Sequence, residues 1–114
     1  MNTESNNKLS KEQNIRHWIS QIQGGKSDAE RELVSMCQDF IEKVANECED
    51  KTLSHEDIIT ACESGLRLAA RKFDLTKDFT FESYAVWWLK QEILQAQKKN
   101  SIIKIGINKT SHTI

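Results

Sequence analysis

The chain has 114 residues with no Pro and four Gly, and 29% of its residues are charged. This length supports one domain with a single modest core, and the composition favours an all-helical, soluble, intracellular protein. The longest apolar runs are a few residues, which excludes a bilayer-spanning segment, and the N-terminus lacks the basic and apolar regions of a secretory signal.

The net charge of −1 conceals an asymmetry between the two halves of the chain. Residues 1–66 carry 7 Lys/Arg against 13 Asp/Glu, a balance of −6, whereas residues 67–114 carry 9 against 4, a balance of +5. The basic half also holds most of the aromatic residues, which suits an anionic ligand. The alternative is that charge simply varies along solvated faces, and charge alone does not separate the two.

The first predicted helix follows a polar segment, residues 1–9, that we expect to be disordered. Ser10 and Gln13 form a capping box at its start, and Gly24-Gly25 ends it. Its apolar residues recur at helical spacing: Ile15, Trp18, Ile19 and Ile22. We interpret Trp18 as a core anchor.

The second predicted helix starts at a capping box of Ser27 and Glu30 and continues to a polar turn at residues 49–51. Its apolar stripe consists of Leu33, Cys37, Phe40, Ile41, Val44 and Cys48. The unbroken stripe predicts one long helix.

The third predicted helix is capped by Ser54 with Asp57. Its stripe consists of Ile58, Ile59, Cys62, Leu66, Ala69, Ala70 and Phe73. Gly65 inside this helix costs about 1 kcal/mol relative to Ala. We therefore interpret Gly65 as a point where a neighbouring backbone approaches closely.

The fourth predicted helix carries most of the aromatic side chains. A short loop at residues 74–78 leads to Thr80, which is typical of a helix start, and the helix is expected from about Phe81 to Lys99. One side presents Tyr84, Trp87, Trp88 and Gln91, and the other presents Ala85, Leu89, Ile93 and Ala96. Two bulky apolar faces exceed what one small core needs, so one face is expected to meet something outside the chain.

These elements predict an all-α fold, a compact bundle of about four helices that forms a single domain over residues 10–100. Residues 101–114 are expected to form a short extended or disordered C-terminal tail, because Ile102, Ile103, Ile105 and Ile107 interleave with Lys104 and Gly106.

Enzyme chemistry has little support in this sequence. His17, His55 and His112 lie far apart, no Ser or Cys has a sequence-local catalytic partner, and there is no P-loop. Cys37, Cys48 and Cys62 are widely spaced, without a CxxC pair. We therefore expect reduced core cysteines, no metal, no cofactor and no enzymatic activity.

From Leu33 to Ile93 the chain resembles region 2 of the sigma-70 family of bacterial transcription initiation factors. The resemblance is carried by Asp57-Ile58-Ile59, Gly65-Leu66, Ala69, Lys72-Phe73-Asp74, Phe79-Thr80-Phe81, Ser83-Tyr84-Ala85 and Trp87-Trp88-Leu89-Lys90-Gln91-Glu92-Ile93. The run from Phe81 to Ile93 is long and compositionally rare. The tail at residues 101–114, with Ser101-Ile102-Ile103-Lys104-Ile105, resembles the start of the following sigma region. The family's downstream domains have no counterpart in these residues.

The resemblance implies two contact surfaces. One captures promoter DNA, chiefly the unpaired non-template strand of the minus-ten element, and is expected to use Arg71, Lys72, Lys77, Phe79, Phe81, Ser83, Tyr84, Trp87, Trp88, Lys90, Gln91 and Lys98. Tyr84 and Trp87 are the leading candidates for base contact. The other surface docks on the clamp coiled coil of the largest subunit of core RNA polymerase, through Glu56, Asp57, Thr60, Ala61 and Glu63.

The sequence also departs from the family. Thr60-Ala61-Cys62 stands where the family usually has Gln-Glu-Gly, and Leu94 replaces a residue that is polar in many members. The first of these changes removes polar groups expected at the polymerase surface.

The leading hypothesis is therefore a sigma-like initiation factor or fragment that binds core polymerase and recognises or melts the minus-ten element. It leaves room for a second polypeptide that supplies the missing sigma regions. The alternatives are a regulatory adaptor or decoy that binds polymerase or another partner without reading DNA, and a helical interaction module that has lost both contacts. A bacterial, cytoplasmic protein that associates with the nucleoid during transcription is implied.

Overall fold

The computed structural model describes residues 10–48 and 52–110, with side chains described up to residue 101. These ranges contain five helices and no strand: α1 Lys11–Gln23, α2 Ala29–Met36, α3 Gln38–Glu47, α4 His55–Lys72 and α5 Phe81–Thr110. The predicted all-α fold is confirmed. None of these helices combines the length and the apolar character of a membrane span. The predicted disorder of residues 1–9, the polar turn at 49–51 and the last four residues lie outside the described residues.

Helix α1 begins and ends as its sequence predicts. The Gln13 amide donates to Ser10 Oγ at 3.1 Å, and the Ser10 amide donates to Gln13 Oε1 at 2.8 Å. Gly25 adopts a φ of 97°, a left-handed conformation that favours glycine and turns the chain towards α2. Trp18 is half-buried against the core, as expected for an anchor.

The prediction of one continuous second helix is wrong. The chain breaks at Cys37, whose amide donates to the carbonyls of both Leu33 and Val34, and α3 starts at the next residue. The predicted capping box is also wrong, because Asp28 occupies the cap position and the Glu30 amide bonds the backbone carbonyl of Ser27. Since Leu33, Cys37 and Ile41 stay buried across the break, the apolar period does not reveal it.

Helices α4 and α5 form the centre of the domain. Ser54 Oγ caps α4 by accepting from the Asp57 amide at 3.0 Å. A Cβ built on Gly65 would lie 2.7 Å from both Leu89 Cα and the Trp88 carbonyl oxygen, so the two helices touch backbone to backbone. The predicted close approach at Gly65 is confirmed. The inner face of α5 consists of the buried residues Ala85, Leu89 and Ile93.

Helix α5 is longer than its sequence predicts. The backbone of residues 101–110 continues the helix past Lys99, where the aromatic helix was expected to end. A β-branched residue costs a helix only about half a kcal/mol relative to Ala, so the run of isoleucines does not by itself end the helix.

Candidate nucleic-acid interface

The aromatic side chains gather around Phe73, the residue that follows α4. Its ring is buried, and its centroid lies 5.6 Å from that of Phe79, 5.3 Å from that of Phe81 and 5.4 Å from that of Tyr84. The Phe79 and Phe81 rings meet it edge-on, an arrangement that aromatic pairs favour. Phe73 therefore anchors the aromatic cluster to the hydrophobic core.

The outer rings of the cluster remain open to solvent. Phe79 is 44% exposed and Trp87 is 57% exposed, whereas Tyr84 and Trp88 are half-buried. The Phe79 and Tyr84 rings are nearly parallel, at 21° with their centroids 6.1 Å apart. Trp87 stands perpendicular to Trp88, with 5.1 Å between the ring centroids. These four side chains form the open-ring surface.

Hydrogen bonds restrict two side chains at this surface. The Tyr84 hydroxyl donates to the Lys72 carbonyl at 3.3 Å, which ties the ring to the end of α4. Ser83 is exposed, and its hydroxyl donates to the Thr80 carbonyl at 2.8 Å. Gln91 is half-buried one turn beyond Trp87 on the same side of α5.

Phe81 requires a correction. It was expected to contact nucleic acid, but its side chain is 0% exposed and packs against Phe73. As the first residue of α5, it points back over the core instead of outwards with Phe79. A base cannot stack on Phe81 in this conformation.

The predicted cations are scattered. Lys72 Nζ lies 5.9 Å from the centroid of the Trp88 ring, and Lys77 is exposed on the loop that carries Phe79. Arg71 is exposed, but its guanidinium lies 2.7 Å from the Glu30 carboxylate of α2. Lys90 lines a recess with Glu47 of α3, and Lys98 lines a groove with Asp57. Lys72, beside Trp88, and Lys77, on the loop of Phe79, have no described ion pair.

The expected polymerase-binding residues lie along α4. Asp57, Thr60 and Ala61 line a groove between α4 and α5, and the Ser64 hydroxyl donates across it to Glu92 at 3.3 Å. Ala61 is buried at the base of this groove. The two remaining predicted residues, Glu56 and Glu63, are not part of its lining, and Glu63 lies 4.0 Å from Arg67.

Two residues of α1 take part in the site although no sequence pattern pointed to them. Arg16 donates to backbone carbonyls of the loop that includes Phe79. Glu12 accepts from the amide of Phe81, the first residue of α5. They are 59 to 69 residues away from those partners in sequence. A Glu and an Arg four residues apart on a helix ordinarily form a surface ion pair, so this spacing carries no sign of the loop contacts.

A family model described as Sigma-70 region 2 matches residues 33–102. The chain is 36% identical over 86 residues to the RNA polymerase sigma-C factor of Myxococcus xanthus, covering 75% of this chain and 29% of that protein. It is 34% identical over 68 residues to the RNA polymerase sigma factor SigA of Microcystis aeruginosa, covering 60% of this chain and 16% of that protein. The chain thus spans less than a third of the length of these relatives.

Proposed function

The chain belongs to the sigma-70 family, whose region 2 it matches over residues 33–102, and we propose that it acts as a sigma-like transcription initiation factor or a part of one. In this proposal it binds core RNA polymerase and captures unpaired bases of the minus-ten promoter element. The single observation that carries the proposal is the open-ring surface. Phe79 and Tyr84 pack on the buried Phe73, Trp88 and Trp87 continue the row of rings, and all four stay accessible.

The energetics of such a surface favour single-stranded over paired DNA. A base has to leave the duplex stack before it can lie against a protein ring, at a cost of a few kcal/mol. Stacking on an aromatic side chain returns about 1–3 kcal/mol per base. Two or more occupied rings therefore offset the cost of melting, and no nucleotide hydrolysis is needed.

The role proposed for the cations is narrower than that of the rings. Lys72 stands beside Trp88, where it can meet the phosphate that follows a stacked base. Arg71 is held by Glu30, so in this proposal it contributes to DNA binding only after leaving that ion pair. Binding by this domain is accordingly expected to depend more on stacking than on charge.

Polymerase docking is proposed at the groove between α4 and α5. Its lining combines the carboxylates of Asp57 and Glu92 with an apolar base at Ala61, a mixture typical of a surface for another helix. Thr60 and Ala61 give this groove fewer polar groups than the family usually has, so we expect a docking contact that is more apolar.

The proposed DNA contact is tested by fluorescence anisotropy with a labelled single-stranded minus-ten oligonucleotide. Trp87→Ala and Tyr84→Ala should each weaken binding by about fivefold to a hundredfold, the equivalent of one lost stacking contact. Val86→Ala is the matched control, because Val86 is a partly exposed apolar residue of α5 that lines a recess with Phe40 and Lys43, away from the rings. Equal affinity of all four proteins would remove the rings from the binding site.

Polymerase docking is tested separately with purified core polymerase in a pull-down. Retention of the wild-type chain, together with single-strand binding, is the expected result. Retention without any single-strand binding would favour the adaptor or decoy function instead. Loss of both would leave a helical interaction module.

A further inference from the structure

We infer that Glu12 and Arg16 of α1 position the DNA-capturing loop, residues 74–80, so that Phe79 is presented beside Tyr84. The inference rests on the proposed function for its consequence but not for its geometry. Both residues lie outside the part of the chain that matches region 2. They are positioning residues, since neither is a member of the open-ring surface.

Arg16 hydrogen-bonds three backbone carbonyl groups of the loop. Its Nη1 donates to the Leu75 carbonyl at 3.0 Å, and its Nη2 donates to the Lys77 carbonyl at 2.9 Å and to the Phe79 carbonyl at 2.8 Å. A planar guanidinium with several fixed donors can gather successive carbonyls in this way, whereas an ammonium group has no such fork. The three bonds fix the path of the backbone up to Phe79.

The aromatic cluster fixes the guanidinium in turn. The central carbon of the Arg16 guanidinium lies 5.1 Å from the centroid of the buried Phe73 ring, a cation–π contact. The loop that carries one open ring is thus tied, through Arg16, to the residue on which the cluster rests.

Glu12 fixes the other end of the loop. Its Oε2 accepts from Arg16 Nε at 3.0 Å and from the Phe81 amide at 3.0 Å. Phe81 is the first residue of α5, so its amide has no partner within the helix, and the helix dipole favours a carboxylate at this end. The Glu12–Arg16 pair therefore spans the loop from Leu75 to the start of the aromatic helix.

The loop has few other constraints among the described residues. Asp74 accepts from the Thr76 amide and hydroxyl at 2.9 and 2.6 Å, and the Lys77 amide donates to the Asp74 carbonyl at 3.1 Å. These bonds shape the first half of the loop. The position of Phe79 itself is set by the α1 contacts, by its packing on Phe73 and by Tyr84.

The first test measures amide hydrogen exchange in wild type, Arg16→Met and Lys11→Met. Arg16→Met keeps the aliphatic stem and removes the guanidinium. The Lys77 and Phe81 amides keep their own acceptors, the Asp74 carbonyl and Glu12, but the loop loses three carbonyl contacts. The looser loop should therefore speed exchange of both amides by about tenfold or more. Lys11→Met is the matched control, because Lys11 also joins α1 to α5, 3.3 Å from Glu82, and no described hydrogen bond links it to the loop. Unchanged exchange at Lys77 and Phe81 in Arg16→Met would overturn the inference, whether or not the protein binds DNA.

The second test asks whether Arg16 acts on DNA through Phe79, by means of a double-mutant cycle on single-strand affinity. Arg16→Met should weaken binding about threefold to thirtyfold in the wild-type background and have little effect in the Phe79→Ala background. In the Trp87→Ala background its effect should persist. A general loss of stability would lower affinity equally in all three backgrounds, and that result would also overturn the inference.

If the wild-type chain binds no single strand, the proposed function fails while the exchange experiment still decides the positioning role. Rescue by Arg16→Lys is expected to be incomplete, because a lysine ammonium keeps the charge without the fork that reaches three carbonyls. Full restoration of slow exchange by Arg16→Lys would show that a positive charge alone is enough to hold the loop. It would overturn the role inferred for the three hydrogen bonds from the guanidinium to the loop carbonyls.

Discussion

At the scale of single residues, the two fully buried thiols have the clearest chemical consequence. Burial raises the pKa of Cys37 and of Cys62 from an ordinary value of 9.0 to about 12, with smaller contributions from nearby groups. The thiolate is the reactive species, so both thiols are expected to be inert in the folded protein near neutral pH. The same shift lowers stability as pH rises, because above pH 9.0 the unfolded chain loses these protons while the folded chain keeps them.

Alkylation at pH 8, followed by mass spectrometry, checks this expectation. Cys48 is half-exposed and serves as the internal control that should react first. Cys37 and Cys62 should become labelled at the rate of global or local opening, and should react quickly in denaturant. Labelling of all three cysteines at the same rate under native conditions would contradict the burial of two of them.

Residue chemistry alone separates the aromatic side chains only in part. The helical period correctly set Tyr84, Trp87 and Trp88 apart from Ala85 and Leu89, because the two sets lie on opposite sides of one helix. Phe81 was misplaced because it stands at the helix start, where a ring can fold back over the core. Only the position of Phe73, directly after the preceding helix, decides that direction.

At the scale of elements, the contact between α4 and α5 depends on Gly65. Gly65→Ala would gain about 1 kcal/mol of helix propensity. The added Cβ would, however, meet backbone atoms of Trp88 and Leu89 at 2.7 to 2.9 Å, and a backbone cannot rotate away as a side chain can. Overpacking costs typically 1–3 kcal/mol and more against backbone, so we expect a net loss of about 1–2 kcal/mol in the free energy of unfolding.

Urea denaturation measures this loss, with Thr60→Ala as the control on an exposed position of the same helix. The control should leave the stability unchanged or slightly higher, since only helix propensity differs there. A Gly65→Ala variant as stable as Thr60→Ala would show that α5 can shift without cost.

Local sequence chemistry predicted most helix starts, and failed where a backbone group replaced the expected side chain. Ser10 and Ser54 cap their helices as their spacing indicated. Ser27 does not, because its carbonyl, not its hydroxyl, accepts from Glu30. The break at Cys37 was equally hidden, since a one-residue interruption leaves the buried stripe in place.

At the scale of the whole molecule, the ion pairs decide how much positive charge is open to the proposed DNA ligand. Lys72 and Lys77 are the cations near the open rings for which no ion pair is described, whereas Glu30 holds both Arg67 and Arg71. About two phosphate contacts give a slope of roughly −1.4 when log affinity for a single strand is plotted against log salt concentration. Glu30→Gln should free Arg71 and steepen that slope by about 0.7.

Anisotropy titrations at several salt concentrations measure the slope. Glu32→Gln is the matched control, because Glu32 is exposed on the same helix and makes no ion pair among the described residues. It changes the net charge equally without releasing an arginine. Equal slopes for the two variants would exclude Arg71 from the phosphate contacts.

The assembly of the site from distant segments is the part that sequence reasoning could not supply. Composition, helical period and turn chemistry act over a few residues, and they placed the aromatic helix and its open face. The contacts of Arg16 with Leu75, Lys77 and Phe79 span about sixty residues and depend on how α1 lies across the end of α4. The spacing of Glu12 and Arg16 on α1 gives no indication of these contacts.

The backbone contact at Gly65 joins the two surfaces proposed for polymerase and for DNA. Gly65 packs directly against the backbone of Trp88 and Leu89. The groove beside α4 and the rings on α5 are therefore held in a fixed relative position, with no side chains between the two backbones at this point. A macromolecule bound in the groove would therefore also fix the orientation of the rings. The rigid packing of α4 against α5 is enough to orient the rings, and no conformational change has to be transmitted between the two surfaces.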